Sequence, residues 1–130
     1  KDSDVSALNM ARTAYTNSAV PIRTHQGNEY DAFARITRRM KEAATRGKPG
    51  FNALVTAIHE NRRLWTILAG DVADDGNTLP EQLRAQIFYL AEFTGQHSAK
   101  VLSGKAGVEI LIEINMAVMR GLRQQEAATP

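Results

Sequence analysis

The sequence predicts an all-α protein, a compact bundle of about five helices joined by short loops. Three observations support this fold class. Apolar residues recur at the spacing of a helix face, no segment alternates as a strand would, and glycine or proline separates the periodic segments. The 130 residues fit a single domain, and a hydrophobic fraction of 43% supplies enough apolar material for one core.

The first helix is predicted over residues 5–19, with Ser3 or Asp4 as its N-cap and Pro21 beyond its end. One of its faces carries only small side chains, which favours close packing against another helix. That face is formed by Ala7, Ala11, Ala14 and Ser18.

The second and third helices are predicted over residues 28–46 and 52–73. Gly47 follows the second helix and is the residue type that ends a helix in the left-handed conformation. The second helix has one apolar face. Its opposite face carries three arginines, Arg35, Arg38 and Arg39.

The fourth helix is predicted over residues 80–103, with Pro80 at its first position and Gly104 beyond its end. The fifth is predicted over residues 108–123. This assignment gives three segments: a flexible or vector-derived N-terminus at 1–5, a single helical domain at 6–123 and a flexible tail at 124–130.

The fourth and fifth helices carry more apolar surface than one core-facing stripe needs. For the fourth helix, burial by the other helices is the favoured interpretation. For the fifth, two interpretations stay open: both apolar faces are buried, or one is left as a groove for a partner helix. The residues assigned to such a groove are Ile110, Ile114, Ala117 and Gly121, flanked by Tyr89 and Phe93.

The chain carries no residue pattern that indicates catalysis or metal binding. Cysteine is absent, and His59-Glu60 lacks the second histidine of a zinc-protease motif because Arg63 stands in its place. The Gly-x-x-Gly loops at 47–50 and 104–107 are expected to cap helices rather than to clamp nucleic acid. No apolar run is long enough to span a membrane. We therefore expect a protein that is not an enzyme, has no metal site or cofactor, and does not insert into a membrane.

The net charge of +2 is small, but the charges are unevenly distributed. Residues 35–63 hold eight basic and two acidic side chains, whereas residues 71–113 hold seven acidic and three basic ones. Two solvated faces of opposite sign are the ordinary explanation. The functional alternatives are an acidic protein partner or an RNA backbone that contacts a basic patch at Arg35, Arg38 and Arg39. The scarcity of aromatic residues in this stretch disfavours single-stranded RNA.

Four stretches, taken in order, resemble the FlaF family of flagellar biosynthesis regulators from alphaproteobacteria. The first, at 7–15, is rich in alanine, and the second is Glu-Asn-Arg-Arg-Leu-Trp at 60–65. The third is Asn-Thr-Leu-Pro at 77–80 with Arg84, and the fourth is Glu-Ile-Asn-Met at 113–116 with Met-Arg-Gly-Leu at 119–122. The resemblance extends over residues 6–123.

The resemblance implies a cytoplasmic protein without enzymatic activity that is needed for flagellin production or export. Members of the family are similar to flagellin-specific secretion chaperones that also influence flagellin translation, together with a companion regulator, FlbT. Because the terminal segments of flagellin are amphipathic helices, a groove that shields their apolar stripes is the expected mode of binding. A direct RNA-binding regulator of flagellin mRNA and an adaptor that binds FlbT alone remain alternatives.

The residues that carry the resemblance have expected structural roles. Asn77, Leu79 and Pro80 would form the start of a helix, and Asn61 and Arg84 would brace loops. Two further residues are expected in the core, Trp65 and a hydrogen-bonded Asn115. The alternatives are that Trp65 lies at an edge as a binding anchor and that Asn115 faces a client backbone.

Overall fold

The computed structural model of the chain describes residues 2–16 and 26–128, with side-chain surroundings for residues 3–12 and 30–121. These residues form five α-helices and one short 3-10 helix, with no strand among them, which confirms the predicted fold class. The helices are α1 (Asp2–Thr16), α2 (Gln26–Thr45), η1 (Lys48–Gly50), α3 (Phe51–Ala73), α4 (Glu81–Leu102) and α5 (Glu109–Ala128).

Among the described residues, the five α-helices pack as a closed ring. Helix α1 contacts α5, α5 contacts α2, α2 contacts α3, α3 contacts α4, and α4 contacts α1. Helices α4 and α5 are consecutive in the chain but barely touch, because α1 lies between them. Each helix therefore has two main neighbours and turns its apolar side toward the centre of the ring.

The centre of the ring is filled by two apolar clusters. In the larger one, Phe33 and Trp65 meet edge to face with ring centroids 5.6 Å apart, and both side chains are buried. The smaller cluster includes Met40, Ile58 and Leu111. The partly buried Leu64 packs against both clusters, so the described helices share a continuous interior.

Glycines end α2 and α4, as predicted. Gly47 has φ of 63° and Gly104 has φ of 77°, in the left-handed region that side chains with a Cβ disfavour. At the end of α4, the Gly104 amide donates to the Val101 carbonyl oxygen at 3.1 Å, and the Lys105 amide donates to the Lys100 oxygen at 2.8 Å. These two bonds form a Schellman motif, which satisfies carbonyl groups left open by the last turn.

Side chains fix the turn between α3 and α4. The side-chain oxygen of Asn77 accepts from the Leu79 amide at 3.0 Å, and its nitrogen donates to the Asp71 carbonyl oxygen at 3.0 Å. Arg84 Nε donates to the Leu79 carbonyl oxygen at 3.1 Å. The predictions that Asn77 and Leu79 form this helix start and that Arg84 braces the loop before it are confirmed. Pro80 occupies the N-cap position rather than the predicted first helical one.

Two predicted helix limits differ from the structure by three residues or more. Helix α1 begins at Asp2, so Ser3 and Asp4 lie inside the helix rather than at its N-cap. The aspartates of this first turn are stabilised by the positive end of the helix dipole. Helix α5 continues to Ala128, so residues 124–128, predicted as part of a flexible tail, are helical. This extension is rich in glutamine, glutamate and alanine, which favour helix even without an apolar stripe. The predicted end of the first helix at Ala19 lies outside the described residues.

Candidate functional site

The residues that carry the family resemblance in the middle and last helices meet in a buried polar network. Trp65 Nε1 donates to the side-chain oxygen of Asn115 at 3.1 Å. The amide nitrogen of Asn115 donates to Asn61 Oδ1 at 2.7 Å and to Thr37 Oγ1 at 3.1 Å. All four side chains are at least 97% buried, and they join α2, α3 and α5. The expectation that Asn115 and Trp65 lie in the core is confirmed. Asn61, which was expected to brace a loop, belongs to the same core network.

The groove predicted on α5 is filled by α1. Ile114 and Ala117 are 0% and 1% exposed, Gly121 is buried and Ile110 is partly buried. They are covered because the small face of α1, with Ala7 and Ala11 fully buried, packs against this side of α5. The interpretation of these four residues as an open groove is therefore corrected: in this structure they form the contact with α1. An aspartate at Ile114 would place an unpaired charge in the core and could not report on binding alone.

The two aromatic residues that were expected to flank the groove differ in exposure. Tyr89 is 36% exposed, whereas Phe93 is partly buried and stacks on His97 with ring centroids 5.4 Å apart. His97 Nε2 donates to the Gly107 carbonyl oxygen at 2.9 Å, which ties α4 to the loop before α5. Tyr89, Phe93 and His97 line a depression of about 160 Å³ beside Ser3 of α1. The depression is too small for a helix. It lies at the edge of the contact between α1 and α4.

An apolar cleft lies open at the end of the bundle where α2 ends, α3 begins and α4 turns into α5. Its volume is about 560 Å³. A second depression of about 390 Å³ adjoins it and shares Ala44 and Glu109 with it. We call the combined surface the end cleft. Its apolar lining comprises Ala44, Phe51, Leu54, Val101, Val108 and Ile112, and its charged rim comprises Lys41, Lys48, Glu109 and Glu113.

Phe51 is the most exposed aromatic side chain among the described residues, at 48%. It is the first residue of α3, directly after η1. The glycine at position 50 allows this junction to approach α2 closely, because a Cβ there would collide with the carbonyl oxygen of Ala43. The sequence did not single out Phe51, which directly precedes the third helix as predicted at 52–73. Its place at the end of the bundle, where few neighbours remain, leaves it exposed.

A third cavity lies across the α4–α5 loop from the end cleft. Its volume is about 480 Å³, and Val5 and Leu8 of α1, His97 of α4 and Ile110 of α5 are among its lining residues. It shares Ala106, Gly107 and Glu109 with the end cleft. We call it the α1 cavity. The start of α5 therefore forms a ridge with apolar space on both sides, one side open and the other partly covered by α1.

The basic patch predicted on α2 is partly neutralised. Arg39 Nη1 lies 2.9 Å from each carboxylate oxygen of Glu60 on α3. Because the Arg39 side chain is 51% exposed, this pair adds little to stability, but it places a negative charge next to the patch. Arg35 and Arg38 are exposed.

No group of three histidine, aspartate or glutamate side chains that could hold a metal ion occurs in the part of the chain that the structure describes. Within the same residues, no helix is both long and apolar enough to cross a bilayer.

Comparison with known proteins gives one match. A family model described as flagellar protein FlaF matches residues 11–122, which include three of the four stretches that carry the resemblance and part of the first. No curated protein and no solved structure matches significantly.

Proposed function

The chain belongs to the FlaF family of flagellar proteins, and from that premise we propose that it is a flagellin-binding secretion chaperone. It acts in the cytoplasm, where it shields the apolar stripe of an amphipathic terminal helix of flagellin until the client is exported. Such a client would otherwise present an apolar face to water before the filament assembles.

The observation that carries this proposal is the end cleft. A helix-in-groove complex needs an exposed apolar floor with at least one large anchor and a polar rim. The end cleft supplies Phe51 as the anchor, Leu54, Val101 and Ile112 as apolar floor, and lysine and glutamate side chains at the rim. Rim charges of both signs can fix the orientation of a client helix while contributing modestly to affinity, which suits a client that must be released.

Regulation of flagellin synthesis belongs to the same proposal. If flagellin occupies the end cleft, the ratio of free to occupied protein reports how much flagellin has not been exported. A regulator such as FlbT, or the translation machinery, could respond to that ratio without a second active surface on this protein.

The alternative of direct RNA binding rests on the basic stretch of the sequence. Binding to phosphates depends on several lysine and arginine contacts. In the patch predicted for this role, Arg39 is already engaged by Glu60, whereas the end cleft is apolar and exposed. We therefore propose protein binding as the function and leave RNA binding as an outcome that salt-dependent titration would reveal.

The proposal is tested with Phe51→Asp in a calorimetric titration against purified monomeric flagellin. We expect the affinity to fall by about tenfold or more, because a charge would replace the apolar anchor of the cleft. The fold should persist, since Phe51 is exposed and an acidic residue at the first position of a helix is favourable.

The matched control is Ile67→Asp, which places the same charge at a residue of α3 that is 53% exposed and outside the end cleft. Its affinity for flagellin should stay within about twofold of that of the unmodified chain. Equal binding by Phe51→Asp and the unmodified chain would remove the end cleft from the account.

A further inference from the structure

We propose that α1 occupies a second helix site, between α4 and α5, and that an amphipathic helix of the client displaces α1 from it. This inference rests on the proposed function, because it takes flagellin as the source of the incoming helix. The end cleft is then open to the client from first contact and stays occupied in the complex, and the α1 seat is the adjoining site that the client also fills. We define the α1 seat by Phe93 and His97 of α4 and by Ile110, Ile114 and Ala117 of α5.

The shape of the seat is that of a groove for one helix. Helices α4 and α5 barely touch each other, and each contacts α1. Removal of α1 would expose Ile114 and Ala117, which are otherwise among the most deeply buried residues of α5. The helices α1 and α5 begin at the same end of the bundle, since Val5 and Ile110 line one cavity. The seat therefore opens directly beside the end cleft.

The described part of α1 buries only small side chains in this groove. Of its described side chains, the buried ones are Ala7 and Ala11, whereas Leu8 and Met10 are partly buried and Val5 is 59% exposed. An alanine methyl removes much less apolar surface from water than a leucine or phenylalanine side chain does. The α1 cavity of about 480 Å³ lies alongside the first turns of the helix. A helix with larger apolar side chains at the positions of Val5 and Leu8 could fill space that α1 leaves.

Polar groups of α4 within one turn of His97 are poorly matched. Thr94 Oγ1 and Ser98 Oγ are buried and have no hydrogen-bond partner, and they lie within one turn of His97. His97 Nδ1 is 4.0 Å from the nearest carboxylate oxygen of Asp4, beyond hydrogen-bond distance. Buried hydroxyl groups without partners disfavour the packed state. The polar pairing of Asp4 in α1 with His97 in α4 is therefore weak.

An internal helix that competes for the client site sets the affinity of the protein. The apparent dissociation constant equals the intrinsic one divided by the fraction of molecules in which the seat is open. A closed seat thus keeps apolar surface covered in the free chaperone. Return of α1 to its seat favours release of flagellin, which the transfer of a client to an export apparatus requires.

The experiment uses the absence of cysteine in the chain. Ala11→Cys and Ala117→Cys together place one cysteine on α1 and one on the facing side of α5, in the same core cluster. In the oxidised protein the disulfide locks α1 in its seat, and reduction of the same sample frees it. We expect the affinity for monomeric flagellin to fall by about tenfold or more on oxidation and to recover on reduction. Each single-cysteine variant should bind equally well in both states.

A second readout needs no variant. Hydrogen–deuterium exchange of the unmodified chain with and without flagellin should show faster exchange in residues 3–12 of α1 and slower exchange at the start of α5 when the client is bound. Slower or unchanged exchange in α1 would overturn the displacement.

The remaining outcomes separate this inference from the proposed function. Equal affinity of the oxidised and reduced double variant would overturn α1 displacement while leaving flagellin binding intact. Loss of binding in both redox states, with binding also absent in the unmodified chain, would overturn both proposals. A stable dimer of the reduced protein without client would show that the seat exchanges α1 with a second copy of the chain, which would also overturn a client helix as its occupant.

Discussion

Asn115 is the residue on which the polar interior of the bundle depends. Its side chain accepts from Trp65 and donates to Asn61 and Thr37, so one substitution removes hydrogen bonds from three buried partners. We expect Asn115→Ala to lower the free energy of unfolding by about 2 to 4 kcal/mol, because buried donors and acceptors would be left without partners. Chemical denaturation followed by circular dichroism measures this change.

The control for Asn115→Ala is Gln82→Ala, which removes an amide from an exposed position of α4. Its free energy of unfolding should stay within about 0.5 kcal/mol of that of the unmodified chain. If Asn115→Ala were as mild as this control, the network would contribute nothing to stability.

Individual residues show what a sequence can and cannot predict about this site. Asn115 interrupts an apolar stripe, and a polar residue there was expected to be hydrogen-bonded in the core, as it is. Ile114 lies on a second apolar stripe, and helical spacing could not decide whether another helix covers it. Phe51 directly precedes the predicted third helix, and its exposure depends on its position at the end of the bundle, which helical spacing does not specify.

At the scale of the elements, replacing a glycine that ends a helix and replacing a glycine within a helix should change the free energy of unfolding in opposite directions. Gly104 has φ of 77°, so Gly104→Ala should lower the free energy of unfolding by about 1 kcal/mol. Gly70 lies within α3, is exposed, and has open space where a Cβ would stand. Gly70→Ala should therefore raise the free energy of unfolding by about 0.5 to 1 kcal/mol. Thermal melting of both variants measures the opposite shifts, and two shifts of the same sign would contradict the role of Gly104 as a helix end.

The limits of the helices followed from local signals where those signals were strong. The end of α2 is marked by Gly47 and the end of α4 by Gly104, both with positive φ. The start of α4 is marked by the hydrogen bonds of Asn77 and Arg84 to Leu79. Each residue acts as its type predicts. The end of α5 was harder to predict, because residues 124–128 carry no apolar periodicity. Their helix propensity favours continuation of the helix to Ala128.

At the scale of the whole molecule, the sequence predicted the number of helices but not their order in space. The surplus apolar surface of α5 is explained by a ring in which α5 lies between α1 and α2. That arrangement depends on the return of α1 to a gap between α4 and α5, a contact between distant parts of the chain that no local pattern specifies. The same contact covers the second stripe of α5 and leaves the end cleft as the exposed apolar site.

The central claim is that one terminal helix of flagellin binds this protein. The most direct measurement is a calorimetric titration of the chain with full-length monomeric flagellin and with flagellin that lacks either its N-terminal or its C-terminal segment. The account predicts that full-length flagellin binds and that one truncation abolishes binding while the other leaves the affinity unchanged. Failure of full-length flagellin to bind, or undiminished binding by both truncated forms, would contradict it.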